Sequence, residues 1–179
     1  MVLREFVRAA KTVVDSGKWV TSVKRLPRTG GPFPMSRSRG LPLGAGWRWR
    51  LLRIEAAGSL FRVMLAYRVA KPEFLALVGA DIGGDTLVLG ALEYHGTHPG
   101  WHVHAACRQP GANARGRTRH PEMRRVASGA ARCTAHPFPA SDGAALEIAT
   151  RYFRLPLVDH DPDHDPAQFA ITFPSARPE

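Results

Sequence analysis

From Glu93 to Ala106 the chain reads E-Y-H-G-T-H-P-G-W-H-V-H-A-A, which gathers four of its eight histidines into one short segment, and Cys107 follows at once. Neutral imidazoles are ligands for divalent cations, and they also carry protons near neutral pH. His102 and His104 matter most. Two residues apart on an extended strand, their side chains leave the same face, which is a ready geometry for gripping one cation. The plain alternative is a sheet face on which each histidine bonds water or a carboxylate.

Such a segment needs a frame, and the surrounding pattern supplies one. Over residues 47–107 the apolar period is two: Trp47, Trp49 and Leu51 alternate with Arg48, Arg50 and Leu52, and Phe61, Val63, Leu65, Tyr67 and Val69 alternate with Arg62, Met64 and Arg68. A third strand is expected from Phe74 to Val78, a turn at D-I-G-G-D (Asp81 to Asp85), a fourth strand from Thr86 to His95, and a fifth from Trp101 to Cys107. Connections this short favour an antiparallel meander. The segment S-D-G-A-A-L-E-I-A-T-R-Y-F-R-L-P predicts a helix from about Gly143 to Arg154, capped by Ser141 or Asp142 and stopped by Pro156. Its Leu146, Ala149 and Phe153 would face the sheet. The expected fold is therefore α+β, a five-stranded antiparallel β-meander with one or two covering helices.

The flanks read differently. Leu3, Phe6, Val7, Ala10, Val13 and Val14 form a helical stripe opposite Arg4, Arg8 and Lys11, so residues 1–16 are expected to be an amphipathic basic helix stopped by Gly17. Docking on the core is the commonest fate of such a helix. Residues 17–46, rich in Pro, Gly and Arg, read as a flexible basic linker. A single domain spans 47–156, with an Arg-rich loop at 108–132. Residues 157–179 read as an acidic, disordered tail.

Charge narrows the function classes. The chain of 179 residues carries 25 Lys and Arg against 15 Asp and Glu, a net charge of +10. Eleven of these cations lie in residues 1–50, and seven arginines lie between Arg108 and Arg132. Basic charge gathered in two stretches suits a polyanion, nucleic acid first, with Arg115, Arg117, Arg119, Arg124 and Arg125 as candidate phosphate contacts. No apolar run approaches the roughly 18 residues of a membrane span, and the N-terminus lacks the form of a secretory signal. Two cysteines are too few for a disulfide framework, so a cytoplasmic protein is expected.

The segment G-W-H-V-H, with Glu93 on the preceding strand, resembles the metal motif of HUH endonucleases. These are the relaxases and rolling-circle replication initiators, in which two histidines flank an apolar residue on a central antiparallel strand. The resemblance implies that His102 and His104 bind Mg²⁺ or Mn²⁺, with Glu93 or His95 as a third ligand. It also implies a metal-dependent single-strand nicking activity. In that family a tyrosine on a later helix attacks the phosphate, and Tyr152 occupies that place in chain order. Leu155 stands where the family commonly has a Lys or a second Tyr.

A second constellation uses softer ligands. His104-Ala-Ala-Cys107 and Cys133-Thr-Ala-His136 together offer the four N/S donors that tetrahedral Zn²⁺ prefers, with the Arg-rich segment as a loop stapled between them. A strand bulge or end near Ala106 would be required, because His104 and Cys107 alternate in face. The acidic run from Asp159 to Asp165 lacks the Gly and Glu of a calcium loop and reads as solvated chain. Gly83-Gly84 reads as a hairpin turn, without the spacing of a nucleotide-binding loop. Three functions follow: a metal-bearing nucleic-acid-binding domain with HUH-like nicking activity; a non-catalytic nucleic-acid or ribonucleoprotein module, zinc-stapled or metal-free; and a protein-binding adaptor whose basic character is only compositional.

Overall fold

The alternation over the central region is realised as five consecutive antiparallel strands, β5 (Arg48–Ala56), β6 (Ser59–Arg68), β7 (Glu73–Ile82), β8 (Asp85–His95) and β9 (Gly100–Ala106). The computed structural model describes residues 2–22, 34–36, 39–40, 43–82, 85–96, 100–106, 123–125 and 137–156. The link between β5 and β6 is the two-residue turn Ala57–Gly58. Both residues have positive φ, 49° and 69°, the backbone twist that lets a short hairpin follow the twist of its strands.

The sheet is larger than the five-stranded meander expected from sequence. Among the described residues it holds eight strands in the order β1-β5-β6-β7-β8-β9-β10, with β2 also paired to β5. Here β1 is Lys11–Asp15, β2 is Val20–Thr21 and β10 is Met123–Arg125. A separate hairpin, β3 (Pro34–Ser36) with β4 (Arg39–Gly40), places β3 beside β8.

The N-terminal helix corrects the expected 1–16 span. Helix α1 covers only Leu3–Arg8, and the chain then extends at Ala9 into β1 along β5. The apolar stripe ran through both elements, but Thr12, Val13 and Val14 are β-branched and gain ladder hydrogen bonds from the open edge of β5. Gly17 is a turn between two strands rather than a helix stop. At φ +57° it packs so closely on β5 that a Cβ would lie 2.2 Å from the Leu51 carbonyl oxygen. Beyond it, Trp19 sets its ring edge-on to Tyr67 at 5.7 Å. Residues 11–15 and 20–21, read as the end of a helix and the start of a linker, thus belong to the sheet.

Helix α2 spans Asp142–Phe153, and the Ser141 hydroxyl accepts from the Ala144 N–H at 3.2 Å, as an N-cap should. Its Ala145, Leu146, Ile148, Ala149 and Phe153 are buried on one side of the sheet with Leu3 and Phe6 of α1. Against them lie Leu52, Ile54, Phe61, Val63, Leu65, Phe74, Val78, Leu92, Trp101 and Val103. Each large apolar side chain fully buried in this way contributes about 1.5–3 kcal/mol. Asp142 ties the helix to the strands: its carboxylate accepts from the Tyr67 hydroxyl at 2.7 Å and from Arg48 Nε at 3.2 Å. On the opposite side of the sheet Met64, Ala66, Leu77, Val88 and Ala91 form a smaller apolar patch with Leu43, Trp47, Trp49 and Met123. Among the described residues no helix is long and apolar enough to cross a membrane.

Candidate metal centre

Which face a side chain on β8 joins is decided by one extra residue. Val78 pairs with Gly90 but Gly79 pairs with Val88, which leaves Leu89 as a bulge. Leu87 and Leu89 both point to the helix side. The bulge then shifts the phase, so Ala91 turns to the far side while Leu92 returns to the helices. Glu93 and His95 consequently share the far face. Strict alternation from Leu87 would have put Glu93 into the apolar core instead. Gly90 makes the bulge compatible with α1, because a Cβ there would lie 2.5 Å from a methyl of Leu3.

Strand β9 brings its own residues to that face by plain alternation. Trp101 and Val103 are buried toward the helices, and His102 and His104 point away. In the ladder Glu93 stands directly across from His102, His95 across from Gly100, and Ala91 across from His104. The result is a convergence of three ligand atoms within 4.8 Å of one another, from Glu93, His95 and His102. Glu93 Oε2 lies 3.3 Å from His102 Nε2 and 3.4 Å from His95 Nε2. Ligand atoms held about 2.0–2.1 Å from a tetrahedral ion stand roughly 3.3 Å apart, so these two spacings fit a metal's donor set.

Hydrogen bonding at His102 sets its tautomer. Its Nδ1 lies 3.3 Å from the Gly100 carbonyl, which can only accept, so Nδ1 carries the hydrogen. In the neutral ring Nε2 is then a lone pair facing a carboxylate oxygen. With Nδ1 turned to the backbone, Nε2 is the ring's ligand nitrogen on the Glu93 side. A backbone carbonyl holding the far ring nitrogen is also how metal-bound histidines are usually oriented. Glu93 is only 8% exposed, so its carboxylate is held in place beneath the two imidazoles. The His95 side chain is 44% exposed and forms the open side of the site. Its ring stacks on that of His102 at 5.1 Å.

A second carboxylate nearby is committed elsewhere. Glu73, across the ladder from His95, is paired with Arg68 and lies 3.1 Å from Lys71 Nζ. Burial alone would raise its pKa, but hydrogen bonds from Lys71 and Arg68 outweigh this and hold it below the ordinary carboxylate value.

Of the residues singled out in the sequence, the structure gathers Glu93, His95 and His102. His104 shares their face, its ring 5.3 Å from that of His102 and nearly perpendicular to it, but it is not one of the three converging donors. Tyr152 is not brought to them. It lies half-buried on α2 against the helix-side core, its ring edge-on to Phe153 at 5.0 Å, with the sheet between it and the imidazoles. Arg125 pairs across from His104 on the imidazole face, and Arg124 pairs across from Ala105 on the helix face. Both are exposed. The proposed zinc ligands Cys107, Cys133 and His136, together with Arg115, Arg117, Arg119 and the acidic run, lie outside the described residues. Sequence reading left Glu93 and His95 as alternatives and missed which face of the sheet they share with His102. Gly90 inside a strand was the available signal, since an interior strand glycine often marks a bulge.

Comparison with protein-family models, with curated proteins and with solved structures finds no match to this chain.

Proposed function

We propose that the protein is a nucleic-acid-binding domain that holds a divalent cation between Glu93, His95 and His102 and presents it to a phosphodiester. The observation that carries this reading is the approach of one buried carboxylate oxygen to two imidazole nitrogens at 3.3 and 3.4 Å. Two imidazoles with one carboxylate suit Zn²⁺ or Mn²⁺ better than Mg²⁺, which prefers oxygen ligands. Three protein donors leave a tetrahedral ion one position for water or a phosphate oxygen, and such an ion polarises the phosphorus and acidifies its water. Arg125, on the same face, supplies a cation for a neighbouring phosphate, and the net charge of +10 favours the polyanion at long range.

If the domain cleaves its ligand, water is the nucleophile on this reading, because Tyr152 lies across the sheet. That same placement favours a second reading, in which the cation fixes β8 to β9 and positions a bound strand without cutting it. The test uses labelled single-stranded DNA and RNA with Mn²⁺ or Zn²⁺. Metal-dependent binding or cleavage that is lost on chelation and in His102→Ala supports the proposal, and cleavage separates the two readings. Affinity indifferent to chelator and to His102→Ala contradicts both.

A further inference from the structure

On the helix side of the sheet, away from the imidazoles, α1 and α2 leave a groove of about 1070 Å³ between them. Its size lies just above the roughly 300–1,000 Å³ usual for small-molecule sites. Apolar side chains floor it: Leu92 and Trp101 from β8 and β9, Ala105 from β9, Ile148 from α2. Arginines rim it: Arg4 and Arg8 from α1, Arg151 and Arg154 from α2. Two carboxylates stand beside these cations, and one of them, Glu5, lines the groove itself. Glu5 accepts from the Val2 N–H at 3.0 Å, and Glu147 lies 3.3 Å from Arg151. A surface pair of the latter kind neutralises little.

One of these cations holds its place at a cost. Arg154 caps α2 in the left-handed conformation, φ 52° and ψ 49°, where glycine would sit without strain. Lys11, which closes the end of α1 on the Val7 and Ala9 carbonyls, has its pKa lowered by burial and then by the nearby Arg154. Cations lining a groove with an apolar floor suit an anion with an apolar body. Trp101 offers no face to a stacked base, being only 8% exposed with its ring engaged by Phe74 and Tyr94.

We propose that this groove binds a long-chain fatty acid, its alkyl chain along the half-buried Val7, Ala105 and Tyr152 and its carboxylate among the guanidinium groups of Arg4, Arg8 and Arg154. Carboxylate and guanidinium form paired, charge-assisted hydrogen bonds, and the chain gains by leaving water. The site is independent of the metal face.

The test is calorimetric titration of the full chain with sodium dodecanoate below its micelle concentration, with dodecanol as the neutral control. One dodecanoate should bind per chain, and dodecanol should bind about tenfold or more weakly, as loss of charge-assisted bonds requires. Arg154→Gly should weaken dodecanoate by a similar factor while melting no lower than the wild type, because glycine relieves the backbone. Ala105→Phe, which fills the floor, should abolish binding. The proposal fails if dodecanoate does not bind, if dodecanol binds equally, if Arg154→Gly leaves affinity unchanged, or if a single-stranded oligonucleotide displaces the bound dodecanoate.

Discussion

At the scale of single residues the account rests on what surrounds Glu93 Oε2. Because the converging donors are Glu93, His95 and His102, the two histidines of the H-x-H pair should not be equivalent. His102→Ala should weaken Mn²⁺ or Zn²⁺ by at least about 100-fold, the top of the range that loss of a supporting partner alone produces. His104→Ala should cost less than about tenfold by the same comparison. Titration of each variant by calorimetry decides, and equal weakening would mean that the pair, not the triad, holds the ion. A second residue-level prediction concerns Tyr67, whose pKa is raised by burial first and then by its hydrogen bond to Asp142. A raised folded pKa gives stability that is complete below the unfolded tyrosine value of about 10 and is lost as pH rises above it. Melting temperature should therefore fall through alkaline pH, and Tyr67→Phe should remove that step. The sequence made the histidines and Glu93 visible, because donor chemistry can be read from residue type. It left Glu93 and His95 as alternatives: two residues apart on one strand they share a face, but which face that is depends on a bulge.

At the scale of elements, the bulge at Leu89 and the glycine after it are what join the two halves of the fold. They turn Glu93 outward, and they let Leu3 of α1 sit against the backbone of β8. Gly90→Ala should force Leu3 to move and cost about 1–3 kcal/mol, the usual effect of overfilling a packed core. Metal affinity should hold, because α1 is on the other side of the sheet. A variant that melts lower yet titrates Mn²⁺ normally would agree; unchanged stability would show that α1 does not pack as described. The five central strands were legible because long period-two runs such as Phe61–Val69 leave little choice of structure. The outer strands were not. Lys11–Asp15 has a stripe compatible with a helix, and only the unpaired edge of β5, a tertiary fact, turns it into β1. The short strands β2 and β10 carry too few residues for any period to show.

For the whole molecule, the sheet divides two chemistries. One face carries the carboxylate–imidazole group with Arg125, and the other carries the helices and an arginine-rimmed groove. Oligonucleotide affinity should fall steeply with salt, and Arg125→Ala should make the salt dependence shallower by about one counterion, the share of a single phosphate. Dodecanoate binding should not compete with it. All of this is secondary to whether an ion sits between β8 and β9. The direct measurement is elemental analysis, after dialysis with Mn²⁺ or Zn²⁺, of the wild type beside Glu93→Gln, a substitution that keeps the side chain's shape but removes its charge. One ion per wild-type chain and a near-zero content in Glu93→Gln, with matching circular dichroism, is the predicted result; a wild type that retains no metal, or a Glu93→Gln protein that retains as much, would contradict it.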